Sequence, residues 1–230
     1  MMSINSTDLK IQEKKMAAVS AVSFINNGDI VGLGTGSTAT FAINELAELI
    51  KNGLQIKGIC SSISTEKLAI AAGIPIFPLG EANYVDISID GADEFTESLQ
   101  LIKGGGGALF REKIVASLSQ NRIIVTDSSK IVEKLGAFKV PVEVVPTAYG
   151  YVFQQLEALN GNPVLRIKDE KTFISDNQNY IIDVDFGLIQ DPEKLSEQLN
   201  QIVGVLAHGL FINLTNRVIM AKGNELVVYT

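Results

Sequence analysis

Cysteine and histidine are nearly missing from this chain of 230 residues, where Cys60 and His208 each stand alone. A single cysteine allows no intrachain disulfide and no thiol-rich metal site, and it suits a reducing, cytoplasmic setting. Cys60 is read as a small core residue at a strand end rather than a nucleophile. His208 lies in an apolar run beside a glycine and is read as structural rather than catalytic. A basic excess is also missing. The net charge is −7, and broad binding to nucleic acid or an anionic membrane normally needs a basic face. A local pocket can still hold a small anion against that global charge. No apolar run has the length of a membrane span, and residues 1–10 lack the apolar centre of a signal peptide. Internal repeats and low-complexity segments are absent as well.

What is present reads as an ordinary globular protein, with 46% hydrophobic and 20% charged residues. The length suits one large domain, or one domain plus a small one, around a substantial core. Capping and periodicity predict a helix from Thr7 or Asp8 to about residue 27, with Gly28 as its stop. Strands are expected at 29–33, 54–60, 74–77, 85–89 and 123–125, and helices at 38–51, 64–72 and 108–119. This alternation implies an α/β fold, a Rossmann-like, mostly parallel sheet whose ligands bind beyond the carboxyl ends of the strands.

The pattern changes near Pro141. A strand at 140–145 and a helix at 147–159 come first. A hairpin at 171–185 is expected next, turning at Asn177, Gln178 and Asn179, then a helix at 191–203 with Pro192 in its first turn. With the apolar run 205–214, this reads as a smaller α+β, ferredoxin-like domain inserted before the C-terminal strands. A last hairpin at 217–230 turns at Gly223 and Asn224 and is expected to return to the first sheet. The expected domains are residues 1–139 with 210–230, and residues 140–209.

Three motifs carry chemistry. Gly32-Leu33-Gly34-Thr35-Gly36-Ser37-Thr38 follows a strand and opens a helix, the setting for an anion held by backbone N–H groups and a helix N-terminus. A dinucleotide fingerprint needs glycine where Ser37 stands. It also needs an acid about 20 residues further on, where Cys60, Ser61 and Ser62 are found. The Gly-Lys-Ser/Thr of a P-loop is absent too. What remains is a loop with three hydroxyls that suits one phosphate, against the plainer reading of a strand–helix turn.

Asp90-Gly91-Ala92-Asp93 places two carboxylates at a strand end, where neighbours drive their pKa values apart for acid–base work. Mg²⁺ binding and turn capping compete with that reading. Lys103 precedes Gly104, Gly105, Gly106 and Gly107, a run that costs entropy in any regular element and suits close approach of backbone to a ligand. Lys103 is placed to stabilise an oxyanion. Glu112, one turn into the following helix, is a candidate general base, although taken by itself a glutamate on a helix is better read as part of a solvated face. Arg111 and Lys113 flank it, as salt-bridge partners or phosphate ligands.

Taken together the motifs resemble the ribose-5-phosphate isomerases of the A type. The matching segments are GLGTGSTA (32–39), SSISTEKLA (61–69), DGADE (90–94), KGGGGALFREK (103–113), DSSK (127–130) and PVEVVP (141–146). The resemblance runs from about Asp29 to the C-terminus. It implies interconversion of D-ribose 5-phosphate and D-ribulose 5-phosphate through an enediol, in the pentose phosphate pathway, without metal or organic cofactor. Carried over by position, Glu112 is the base that moves a proton between C1 and C2. Asp90 and Asp93 assist ring opening and hydroxyl proton transfer, and Lys103 stabilises the oxyanion. Substrate contacts are implied for Thr35, Gly36, Ser37, Thr38, Gly91, Ala92, Gly104, Gly105, Gly106 and Lys130. Lys14 falls where the family often has a lysine near the phosphate. Gly107 stands where some members carry alanine. A homo-oligomer, dimer or tetramer, is implied. A non-catalytic sugar-phosphate sensor on the same fold is the alternative, and the pairing of Glu112 with Lys103 argues against it, because a sensor needs no base.

Overall fold

The computed structural model describes residues 6–230, so the first five residues of the polar stretch 1–10 lie outside it. In chain order the first half holds α1 (Ser6–Val22), β1 (Ile30–Leu33), α2 (Ser37–Lys51), β2 (Lys57–Cys60), α3 (Ile63–Ala71), β3 (Val85–Asp90), β4 (Glu94–Phe95), β5 (Leu101–Ile102), α4 (Leu109–Leu118) and β6 (Ser119–Asp127). The second half holds β7 (Val140–Val144), α5 (Tyr149–Ala158), β8 (Asn162–Leu165), β9 (Ile167–Lys168), β10 (Lys171–Thr172), β11 (Tyr180–Asp185), α6 (Pro192–Asn200), β12 (Val205–His208), β13 (Leu210–Phe211), β14 (Arg217–Lys222) and β15 (Glu225–Tyr229).

Two compact units result. The first comprises the chain up to Ala92, Ile114–Ile131 and Leu214–Thr230. Its six-stranded sheet has the order β15-β14-β6-β3-β1-β2, parallel throughout except for the β14–β15 hairpin. That hairpin turns through Gly223, at φ 60°, and rejoins the first sheet as expected. Helices α1 and α2 pack against the sheet, whose central strands β1 and β3 are largely buried. Ala17, Ala18 and Ala21 give α1 a flat side that packs with Val31, Leu33, Leu46, Ile89 and Ile219 in one core. Each buried Leu or Ile there contributes about 1.5–3 kcal/mol. The register sets Leu33 of β1 opposite Cys60 on one side and Ile89 on the other. The loop after β1 and the acids after β3 therefore emerge side by side at the carboxyl edge.

The second unit comprises Asp93–Lys113 and Val132–Asn213. Its β7-α5-β8-β11-α6-β12 succession forms an antiparallel sheet of order β12-β7-β11-β8, the ferredoxin-like arrangement. Val140, Val142, Val144, Ile182 and Val184 face Val152, Leu156, Leu195 and Leu199 of the two helices. Asp191 caps α6 by accepting the Lys194 N–H at 2.9 Å, with Pro192 at the first helical position. A small second sheet joins β13, β5 and β4. The units are thus divided otherwise than 1–139 with 210–230 against 140–209. Phe211 and Leu210 pair with β5, and Glu94 accepts the N–H groups of Gly136 and Phe138, which draws 93–113 and 132–139 into the second unit.

Three local expectations change. Residues 74–77 make a single bridge, Gly58 to Ile76, rather than a strand, because Pro75 and Pro78 bring no N–H to a ladder. Helix α1 stops at Val22, where Ser23 turns its hydroxyl to the Ser20 carbonyl and the Asn26 N–H to Asp29, local bonds that compete with the helix. The 171–185 hairpin reduces to one bridge, Ile174 to Tyr180. Its second strand, β11, carries buried Ile181, Ile182 and Val184 and is taken into the middle of the sheet between β7 and β8.

Candidate active site

In the first unit the site is built on the edge where β1 and β3 end. Gly34 permits it: a Cβ there would lie 2.1 Å from Asp90 Oδ1 and 2.6 Å from Asp90 Cα. The absence of a side chain lets the Gly34 N–H reach the Ile89 carbonyl at 2.9 Å. Asp90 Oδ1 then accepts two backbone N–H groups, from Thr35 at 3.1 Å and Gly91 at 2.8 Å. These bonds fix the orientation of the Asp90 carboxylate. Thr35 turns its hydroxyl beneath the loop, within 2.9 Å of Ser61 and Ser62 and 3.1 Å of Thr65, while Thr65 bonds the Gly34 carbonyl. The Thr35 side chain is thus a strut, and its N–H orients Asp90.

Helix α2 begins at Gly36, at φ 105°, with no side chain capping its first turn. Gly36 and Ser37 are exposed and Thr38 is buried. Lys14, reaching from α1, donates to Ser37 Oγ at 2.9 Å and sits 4.0 Å from Asp127 Oδ2. A helix start without a side-chain cap, the exposed Ser37 hydroxyl and an ammonium form a setting that suits an anion. Lys130 lies in the loop after β6, its N–H on the Asp127 carbonyl at 3.3 Å. Buried Glu13 braces that loop: Oε2 accepts the Ser128 N–H and hydroxyl, and Oε1 accepts the Gly223 N–H. Asp127 and Glu13 carry no local signal in the sequence beyond the DSSK segment; only the packing of α1 on β6 and β14 reveals them.

In the second unit Lys103 leaves β5 and Glu112 lies in the first turn of α4. Both are buried, with Lys103 Nζ 3.4 Å from Glu112 Oε2. Gly104 and Gly107 have φ of 98° and 84° and close a turn through the Gly107 N–H and the Gly104 carbonyl. The Gly105 N–H donates to Asp93 Oδ2 at 2.8 Å, so Asp93 holds the glycine loop while Gly105 and Gly106 stay exposed. Glu94 is structural, through its bonds to Gly136 and Phe138. Arg111 and Lys113 both turn into protein. Arg111 bonds Asn177 Oδ1 at 2.9 Å and the Asp176 carbonyl. Lys113 donates to the carbonyls of His208 at 2.7 Å and Leu210 at 2.9 Å. Burial pulls its pKa down to about 7. His208 is pulled down to about 3, by burial first and then by the Lys113 charge, which fits a structural role. Burial, helped by Glu66, pushes the Cys60 thiol up to about 12, which removes it as a nucleophile. Among the described residues no three His, Cys, Asp or Glu side chains converge as metal ligands.

The model of the ribose 5-phosphate isomerase A (phosphoriboisomerase A) family matches residues 57–225. The chain belongs to this family. Ribose-5-phosphate isomerase A of Streptococcus sanguinis is 44% identical over 216 residues, 94% of this chain and 96% of that protein. The solved ribose 5-phosphate isomerase A of Methanocaldococcus jannaschii is 39% identical, with a TM-score of 0.89 over 97% of this chain and 99% of its own. A solved D-ribose-5-phosphate isomerase in complex with phospho-erythronic acid is 36% identical, with a TM-score of 0.91 over 98% of this chain and 99% of its own. As a ribose 5-phosphate isomerase A, the chain presents its expected site residues in two groups. Lys14, the loop from Thr35 to Thr38, Asp90, Gly91, Ala92 and Lys130 belong to the first unit. Asp93, Lys103, Gly104, Gly105, Gly106 and Glu112 belong to the second.

Proposed function

We propose that Glu112 is the carbon base of an enzyme that interconverts D-ribose 5-phosphate and D-ribulose 5-phosphate. The observation that carries this reading is the buried Lys103–Glu112 pair at 3.4 Å. An aldose–ketose isomerase needs one base that serves two adjacent carbons and a cation for the oxygen between charges. In the open-chain aldose, Glu112 takes the C2 proton, the electron pair shifts to the carbonyl oxygen, and Lys103 stabilises the enediolate. The proton carried by Glu112 then passes to C1, and the hydroxyl proton moves from O2 to O1 through Asp90 or Asp93, leaving the ketose. The glycine run from Gly104 to Gly106 is assigned to close approach of substrate, as are Gly91 and Ala92, while the Gly105 and Gly91 N–H groups themselves orient Asp93 and Asp90. The phosphate falls to Gly36, Ser37, Thr38, Lys14 and Lys130, a helix start with two lysines. The phosphorylated sugar acid held by a relative carries negative charge at both ends, as the enediolate phosphate does.

No metal or organic cofactor enters this scheme. The enzyme acts in the non-oxidative pentose phosphate pathway, in the cytoplasm, as a homo-oligomer, dimer or tetramer. Among the described residues no helix is long and apolar enough to cross a membrane. The test is a coupled assay that follows ribulose 5-phosphate formed from ribose 5-phosphate. Turnover is expected; tight sugar-phosphate binding without turnover would establish the sensor instead. Light scattering on the purified chain tests the oligomer.

A further inference from the structure

Lys113 has no part in the chemistry just described, yet its ammonium makes two hydrogen bonds to one short segment. It donates to the carbonyls of His208 and Leu210, the residues on either side of Gly209. The Gly209 carbonyl accepts the Lys103 N–H at 2.9 Å, and the Gly209 N–H donates to the Pro141 carbonyl at 2.7 Å. A Cβ on Gly209 would lie 2.4 Å from the Lys103 carbonyl oxygen and 2.5 Å from Pro141 Cδ, so the segment passes as closely as backbone can. The next residue but one, Phe211, is buried and stands under both ammonium groups, 5.3 Å from Lys103 Nζ and 4.8 Å from Lys113 Nζ. Lys103 is therefore held at both ends by residues 209–211, its N–H by Gly209 and its ammonium by the Phe211 ring face.

We propose that Lys113 is a positioning residue, which clamps the segment from His208 to Phe211 and through it aims the Lys103 ammonium. The helix that bears Glu112 bears Lys113 next to it, so the base and the clamp for its partner cation are set by one element. Burial that pulls Lys113 down to about 7 does not release the clamp, because a neutral amine still has two N–H groups for the two carbonyls. The inference rests on the assigned role of Lys103 and deepens it.

The experiment measures kcat and KM for ribose 5-phosphate in full-length Lys113→Met, Lys103→Ala and the double variant, with circular dichroism on each. Lys113→Met is expected to lower kcat on the order of tenfold through loss of orientation, with KM within about twofold of wild type. Lys113→Arg, which can still donate to both carbonyls, is expected to recover part of the loss. The double variant is expected to be no slower than Lys103→Ala alone, since a clamp acting through Lys103 has nothing left to aim. Wild-type kcat in Lys113→Met, or a double-variant loss equal to the product of the two single losses, overturns the proposal. Wild-type turnover in Lys103→Ala is a different failure, of the role of Lys103 itself. Should Lys113→Met not fold, Phe211→Leu takes its place in the same cycle: a kcat loss absent from the Lys103→Ala background supports the clamp, and an independent loss overturns it.

Discussion

Lys103 Nζ stands 3.4 Å from Glu112 Oε2 with both side chains buried. A carboxylate so placed faces a cation away from bulk water, a setting suited to taking a proton from carbon. Glu112→Gln preserves shape and removes the base. Turnover is expected to fall by roughly 10²–10⁴-fold, the usual contribution of a positioned general base. Substrate affinity, read by isothermal titration, is expected to stay near wild type. A variant that isomerises at the wild-type rate would sink the mechanism.

Gly34→Ala tests the edge geometry of the first unit. The new Cβ would fall 2.1 Å from Asp90 Oδ1 and 2.6 Å from Asp90 Cα, and backbone cannot yield as a flexible side chain can. Overpacking of this kind costs about 1–3 kcal/mol, visible as an earlier urea midpoint. Activity is expected to fall further than stability, because Asp90 is displaced from the Thr35 and Gly91 N–H groups. Unchanged midpoint and activity would show that the β1 and β3 ends are not packed as described.

Lys14→Met removes the ammonium at the start of α2, where it donates to Ser37 Oγ at 2.9 Å. A contact made equally in ground and transition states raises KM and spares kcat, here by roughly tenfold in KM. The salt dependence of KM is expected to weaken in parallel, because one phosphate contact is gone. A fall in kcat at constant KM would place Lys14 in the chemistry instead.

His208 gives a pH signature of stability. The unfolded imidazole takes a proton near 6.5, whereas the folded one holds off to about 3, through burial and the nearby Lys113 charge. Between those values the unfolded chain binds more protons, so acid favours unfolding. The contribution is full above pH 6.5 and is lost as pH falls toward 3. Between pH 7 and 4.5 the wild type is expected to lose on the order of 2 kcal/mol more than His208→Asn, whose side chain does not titrate. Equal losses in denaturant titrations at the two pH values would contradict a neutral buried imidazole.

Removal of metal is the remaining test. Asp90 and Asp93 direct carboxylate oxygens at the N–H groups of Thr35, Gly91 and Gly105, partners that suit orientation of an acid–base group. Activity after exhaustive EDTA treatment and desalting is expected to equal that of untreated enzyme. Loss that Mg²⁺ restores would make the carboxylates cation ligands.

Much of this was legible in the sequence by itself. The strand, glycine loop and helix at 30–51, the acids at the end of β3, the ferredoxin-like succession after Pro141 and the closing hairpin all follow from periodicity, capping and turn chemistry. Those signals act between residues near in sequence, so a local pattern suffices to read them. The same local pattern overreached at 74–77, where two prolines leave a single bridge, and at 171–185, where an apolar strand found two better partners than the neighbour across its turn.

The tertiary structure decided what the side chains do. Arg111 and Lys113 looked alike beside Glu112, as cations for a phosphate or a salt bridge. Folding sends one to the turn at Asp176 and Asn177 and the other to carbonyls nearly a hundred positions away. Thr35 offered a hydroxyl and spends it on Ser61, Ser62 and Thr65. A buried donor or acceptor must find a partner, and which partner is in reach depends on the segments that chain topology brings together. The sequence determined which groups were available for proton transfer on a sugar phosphate. Only packing decided which of them meet the chemistry and which, like Lys113, hold another residue in place.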